Sequence, residues 1–376
     1  MGKVIHGYIG KQLRINLTKK EIKVESLDLN ILRKYIGGVG YGAKLLYDEL
    51  NAKIDPLSAD NKLVFATSPL TANDIPGGGS IMICFKSPAT NGWGESRCGG
   101  DFGPDLRKAG YDFLIIEGKS EEPVYILIEK DNVEFNPAKH LKGKMVSDKI
   151  KIIQDETSNP KLSVMVIGPA GENLVKYSSI MYGHRAAGRT GAGAIMGSKN
   201  LLGIAVNGTK KPELGNADNA KRAISEAFKV IKENQIASHF REHGRTSDIE
   251  SADGLGDWPT KNWQSNSWGK GQQLYKHFHE KNLDRNNGCY RGCPVACGRI
   301  SSVKEGKFKT PQHKGAEYES ITAFTAFILN EDMDAVVHAT YLCNEYGLDT
   351  ISTGAVIGFS MECYEKTLLA KKIPMD

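Results

Sequence analysis

The sequence predicts an α+β fold: a β-rich N-terminal domain of two sheets with helices, followed by a mainly α-helical domain. Short apolar runs that end at Gly or a polar residue crowd residues 1–210. Helical periodicity takes over beyond Lys210-Lys211-Pro212. A length of 376 residues also exceeds a single core of ordinary size. The expected division is 1–210 and 211–376, joined near residues 209–216.

In chain order, the strand signals begin with the alternating Leu13-Arg14-Ile15-Asn16-Leu17 and the apolar Lys62-Leu63-Val64-Phe65-Ala66. The runs Phe113 to Ile116, Val124 to Ile128 and Val164 to Ile167 follow, and Leu202 to Val206 closes the set before Asn207-Gly208. Gly42 to Leu50 and Ser147 to Glu156 read as helices. Beyond the joint, Asp218 is placed to cap a helix from Asn219 to about Asn234, with Ile224, Ala227, Phe228 and Ile231 on one face. Residues 238–275 are polar and rich in Gly, Ser and Asn, and they resist assignment. Trp258, Trp263 and Trp268 lie there and are expected to bury themselves against a loop. A helix from Asp334 to Tyr346 has Gly347 as its C′ residue, and another runs from Ser352 to about Lys366.

Composition narrows the function classes. Hydrophobic residues make up 40% and charged residues 25%, as in ordinary globular protein. The net charge of +5 comes from 49 basic and 44 acidic residues, and the basic ones are scattered. No nucleic-acid partner is therefore expected. No apolar run approaches the length of a membrane span, and the N-terminus has neither a signal peptide pattern nor, with His6 in place of Ser or Thr, a myristoylation motif. Seven cysteines, an odd number, three of them clustered, point to a reducing cytoplasm rather than a disulfide scaffold.

Two features carry chemistry. Cys289, Cys293 and Cys297 fall within nine residues, a spacing that can put three thiolates on one ion or cluster. A structural zinc or a cubane iron–sulfur cluster normally takes four. Iron–sulfur is the better match because no second cysteine pair is present, with zinc as the alternative. Glycine, at 41 residues, gathers in four segments: 37–42, Gly77-Gly78-Gly79, Gly99-Gly100, and 188–197. Such segments turn tightly, and they also let backbone N–H groups approach a phosphate. The 183–201 stretch adds Arg185 and Arg189, suited to bidentate contacts with phosphate or carbonyl oxygens. His277-x-His279 reads as an ordinary polar pair.

Several long motifs stand in one order: Ser68-Pro69-Leu70-Thr71, Gly99-Gly100-Asp101-Phe102-Gly103, Ala109-Gly110-Tyr111-Asp112, Ile167 to Leu174, Gly183 to Leu201, the cysteine triplet, Glu317-Tyr318-Glu319-Ser320, and Tyr346 to Gly354. In these the chain resembles the tungsten-containing aldehyde ferredoxin oxidoreductase family from Ile9 onward. The resemblance implies a bis-pterin cofactor of tungsten (or molybdenum), Mg2+ bridging the pterin phosphates, and one [4Fe-4S] cluster. It implies oxidation of a small aldehyde to a carboxylic acid with water, with electrons passing to ferredoxin or another electron-transfer protein. By position, Cys289, Cys293 and Cys297 would bind the cluster. Arg185 and Ala186 would contact pterin and magnesium, together with Arg97, Gly99 and Gly188. Asn344, Gly347, Leu348 and Asp349 fall on a pterin motif whose last acid, Asp349, would take ring N–H groups. Glu319 would activate water or orient the substrate.

The chain departs from the family pattern in places. Three residues rather than two separate the first cysteines, Asn344 replaces an acid, Ser80 replaces an arginine, and Arg97 stands where an asparagine is frequent. His338 and Tyr341 occupy the places of a Glu-x-x-His iron site. Cys343 and Cys363 are further thiols that a cluster could recruit, although a small buried hydrophobe is the expected role, as for Cys84 and Cys98. The match is expected to cover the N-terminal domain and part of the middle domain, with the C-terminal domain absent. The alternative to a complete enzyme is a truncated non-catalytic member, or a subunit that needs a second chain (another polypeptide or a homodimer partner) to complete its site.

Overall fold

Alternation of side chains with period two builds the first sheet. The computed structural model describes residues 6–129, 132–210, 212–290 and 292–369. Strands β1 (Lys11–Asn16), β2 (Glu21–Ser26), β3 (Leu63–Ala66), β4 (Ile81–Lys86), β5 (Trp93–Cys98) and β6 (Phe113–Glu117) form a mixed sheet in the order β2-β1-β6-β3-β4-β5. On β6, Leu114 and Ile116 face the main core, whereas Phe113 and Ile115 face a second core under the helices Leu29–Tyr35 and Gly38–Glu49. Tyr41 of the latter helix stacks on Phe113 with ring centroids 3.7 Å apart.

Strands β7 (Val124–Glu129), β8 (Asn132–Pro137), β9 (Ser163–Ile167), β10 (Ile180–Tyr182), β11 (Arg185–Ala187) and β12 (Leu201–Asn207) form the second sheet, ordered β11-β10-β9-β12-β7-β8. The main core takes β9 and β12 from this sheet and Leu13, Phe65, Ile83 and Leu114 from the first. The helix Phe102–Ala109 adds Phe102, Leu106 and Ala109. Edge strands β5 and β11 pack against each other, so the two sheets meet rim to rim.

By backbone contacts the chain forms two compact units. The first is Met1–Asn234 with Gly288–Pro294 and Asn344–Leu348; the second is Gln235–Asn287, Val295–Cys343 and Asp349–Asp376. The helix expected after Asp218 spans Ala217–Glu233 in the first unit, and its cap is Asn216, whose side chain accepts from the Asn219 amide at 2.8 Å. Asp218 lies in the first turn instead, where its charge complements the helix dipole.

In the second unit, β13 (Leu283–Asn287), β14 (Gly298–Ser301) and β15 (His313–Lys314) make a small antiparallel sheet. Among the described residues, six α-helices fall here wholly or in part: Gln235–His243, Asp248–Leu255, Gly271–His277, Tyr318–Phe324, Met333–Tyr346 and Thr350–Glu365. The stretch that resists assignment is organised by Asp253. Its carboxylate accepts from the amides of Trp268, Gly269 and Gly271 and from Ser267 Oγ. Burial pushes its carboxyl up, but these donors outweigh burial and hold it below the usual range. Trp258 is fully buried and donates Nε1 to Thr322 Oγ1 at 2.8 Å, whereas Trp263 is 67% exposed, contrary to the expectation that all three tryptophans are buried. Among the described residues, no helix is long and apolar enough to cross a membrane.

Candidate functional site

The rim where β5 meets β11 is tied by side chains to backbone carbonyls. Ser96 Oγ donates to Arg189 O at 2.5 Å, Thr190 Oγ1 to Glu95 O at 3.2 Å, and Ser87 Oγ to Thr190 O at 2.8 Å. The 183–201 stretch thus becomes the turn of the β10–β11 hairpin, then β11, then a short turn, and then the buried helix Ala192–Ser198. Arg185 begins β11 and its Nη2 donates to the carbonyl of Gly288, beside Cys289. A Cβ on Gly99, just past β5, would lie 3.9 Å from Arg185 Nη1 and 3.2 Å from Cys289 O. On Gly100 it would fall 2.4 Å from the Tyr182 ring. Arg185, Gly99 and the start of the cysteine loop are therefore together in the first unit, in a cradle that a side chain would fill.

Gly79 repeats the pattern, since a Cβ there would meet Tyr290 at 2.4 Å. Tyr290, the first residue after Cys289, donates its hydroxyl to Ile75 O at 2.5 Å. Burial raises its phenol, and the neighbouring Cys293 and Cys289 push the same way. Arg97 is exposed on β5 and donates Nε to Ser80 Oγ at 3.0 Å. Ser80 is the position where the resemblance expects an arginine, and the guanidinium beside it belongs to Arg97 of β5.

The segment Asn344–Leu348 is locked to the same hairpin. Glu345, 3% exposed, lies 3.0 Å from His184 Nε2 and accepts from Ser147 N and Oγ at 3.2 and 2.8 Å. Burial pushes its carboxyl up, and the bonds from His184 and Ser147 pull it down further, leaving it below the usual range. The Ser179 amide donates to Gly347 O at 2.8 Å, and Ser178 bridges Leu348. Gly347 has φ +73°, as a C′ residue requires, and a Cβ on Gly168 would come within 2.2 Å of Tyr346 O. Asn344 is buried, and Ser179 Oγ donates to Gly188 O at 3.5 Å.

Cys297, Glu319 and Asp349 belong to the second unit. Asp349 caps the helix Thr350–Glu365, accepting from the Ser352 amide at 3.1 Å. Glu319 is exposed in the first turn of Tyr318–Phe324. Cys289, Cys293 and Cys297 are half-buried, whereas Cys84 and Cys343 are buried, each thiol pushed up to about 12 by desolvation. Among the described residues, no three His, Cys, Asp or Glu side chains converge on a single-ion site. A cubane makes no such demand, because each of its irons takes one thiolate. By type, thiolates suit an iron–sulfur group, and Arg185 beside Gly99 suits phosphate oxygens.

Other motifs in the series are structural. Arg107, fully buried, donates Nη1 to Ser68 O at 2.9 Å and Thr71 O at 2.6 Å, and lies 3.3 Å from Asp112, which accepts from the amides of Ile9 and Gly10. Glu172, in the Ile167–Leu174 motif, pairs with the buried Lys149. Sequence reasoning missed Glu345, Ser147 and Tyr290. Only the position of Glu345 inside a motif signals it.

The family model described as aldehyde ferredoxin oxidoreductase, N-terminal domain, matches residues 12–208, and the one described as its domains 2 and 3 matches residues 222–375. The second match corrects the expectation that the C-terminal domain is absent: residues 222–375 match the model of the later domains. A tungsten-containing aldehyde ferredoxin oxidoreductase of Pyrococcus furiosus is 38% identical over 365 residues, covering 96% of this chain and 60% of that protein. The aliphatic sulfonate oxidoreductase, WOR-like subunit, of the same organism is 32% identical over 386 residues, covering 98% and 61%. A solved structure, the active site complex BamBC of benzoyl coenzyme A reductase with 1,5-dienoyl-CoA, is similar with a TM-score of 0.87 at 29% identity, covering 98% of this chain and 58% of that one. The chain spans about 60% of the length of the curated relatives it matches.

Proposed function

This chain belongs to the aldehyde ferredoxin oxidoreductase family, and from that premise we propose that it oxidises a small aldehyde to the carboxylic acid in the cytoplasm. Aldehyde and water give acid, two protons and two electrons, and ferredoxin or another electron-transfer protein takes the electrons; a [4Fe-4S] cluster, when bound, would relay them. The tungsten (or molybdenum) bis-pterin, when bound, supplies the two-electron redox centre. The observation that carries this reading is the meeting of Arg185 with Gly99 and the Gly288 carbonyl, which joins the glycine cradle to the cysteine loop.

The residues divide the work. Arg97 and Arg185 would hold phosphate oxygens and the neighbourhood of Mg2+, with Gly99, Ala186 and Gly188 leaving room for close approach. Asn344, Gly347, Leu348 and Asp349 would hold the pterin, with the Asp349 carboxylate suited to accept N–H groups. Cys289, Cys293 and Cys297 hold the cluster through soft anionic sulfur. Glu319, exposed and in a first helical turn, takes a proton from water or orients the aldehyde.

Metal analysis of anaerobically purified protein tests the proposal. Tungsten or molybdenum is expected with about four irons per chain, and an aldehyde should reduce a low-potential dye. Iron or zinc without tungsten or molybdenum would leave a cysteine-only metal module, and no metal would leave a non-catalytic member. A second reading, a subunit that completes its site with another chain, is favoured by the exposed apolar residues Phe359, Met361 and Leu368 in and after the last helix. Recovery of activity only on adding a second polypeptide would establish it.

A further inference from the structure

Arg299 follows Cys297 by two residues, at the start of β14, and its side chain is fully buried. Gly244 lies directly on it: a Cβ there would stand 2.6 Å from Cζ. Among the described residues, the guanidinium donates to main-chain carbonyls. Nη1 donates to Gly298 O at 3.1 Å and Ala296 O at 3.4 Å, and Nη2 to Phe240 O and Arg241 O at 3.4 Å each. Nε is buried with no hydrogen-bond partner among the described residues. Glu317, Cys297 and Tyr275 act on its charge, Glu317 being the carboxylate among them, and no ion pair to Arg299 is found among the described residues. A buried charge without a counter-ion is costly, and folds pair such charges or bind an anion against them.

The anion this segment can bring is the group bound through Cys297. A cubane with four thiolates is a dianion when oxidised and a trianion when reduced, so a fixed cation beside it favours the reduced form. We infer that Arg299 is the built-in counter-charge of the metal–sulfur group held by Cys297 and that it raises the group's reduction potential. The inference rests on the proposed cluster. Arg299 touches neither substrate nor reacting atoms, and it acts through the field it places on the cysteine segment.

Redox potentiometry of the anaerobic holoprotein, read by the paramagnetic signal of the reduced cluster, tests it. In R299Q the ratio of reduced to oxidised cluster at a fixed poise is expected to fall about tenfold, a shift of about 59 mV to lower potential for a one-electron couple. R299K, which keeps the charge, should stay near the native value. An R299Q protein that holds its iron at an unchanged potential overturns the inference while leaving the cluster in place. Should R299Q fail to fold, E317Q serves: removing the carboxylate that offsets Arg299 should raise the potential, and no change counts against the inference. Absence of an iron–sulfur signal in the native protein overturns the cluster reading, and this inference with it.

Discussion

Glu345 ties three distant segments to one carboxylate, through Ser147 on one side and His184 on the other. Its folded pKa lies below its ordinary value of 4.5, so the stabilisation is complete above that value and drains away as pH falls through the lowered one. E345Q should cost about 2 kcal/mol near neutrality, the scale of hydrogen bonds to a buried charge. Because the native carboxylate gives up its advantage in acid, the gap between native and variant should narrow toward pH 4. Thermal unfolding at both pH values checks this, and an equal gap would sink the assignment. Residue chemistry of this kind was poorly legible beforehand. The cysteines and Arg185 declare themselves by type and spacing, but Glu345 acquires its meaning only when residues more than a hundred positions apart are folded together.

At the scale of elements, the strands that lie between two apolar layers read clearly. β6, β7, β9 and β12 are near-continuous Ile, Leu and Val runs because both faces are covered. β5 does not read as a strand, although its burial alternates strictly. Its covered face holds Gly94 and Ser96, which bond or approach the rim instead of filling a core. β10 and β11 have three residues each, too few for a periodicity. β4 carries as clear an apolar run as β6 yet stands unassigned, crowded between Gly77-Gly78-Gly79 and Pro88. The glycine triplet has its own consequence. In G79A the new methyl meets Tyr290 at 2.4 Å, so the tyrosine and the loop bearing Cys289 and Cys293 must move. Iron content is expected to fall several-fold. G254A is the control: its helical glycine meets nothing within 4 Å, and the change should leave iron intact and add roughly 0.5–1 kcal/mol of stability. Equal iron in both variants would refute the close approach.

For the molecule as a whole, the class and the order of the sheets' strands were legible to different degrees. The division into a β-rich part and a helical part follows from the change of periodicity. That the first six strands form one sheet and the next six another follows from pairing across the chain, which no local pattern states. The last helix, Thr350–Glu365, has apolar residues all around it; Phe359 is 62% exposed, and Leu368 just beyond is 73% exposed. The isolated chain should therefore bind a hydrophobic dye such as ANS, and F359D with L368D should abolish most of that signal without lowering the melting temperature; undiminished dye binding would place the apolar surface elsewhere. The meeting of β5 and β11 carries a last implication. Each is the open end of its sheet, and an open end offers unpaired amides and carbonyls to any passing strand. Here the two ends mask one another, and the residues that mask them are neighbours of Gly99 and Arg185. A lesion that pries this rim apart would release two adhesive edges together, so the chemistry of the site and the protein's resistance to aggregation are protected by the same contacts.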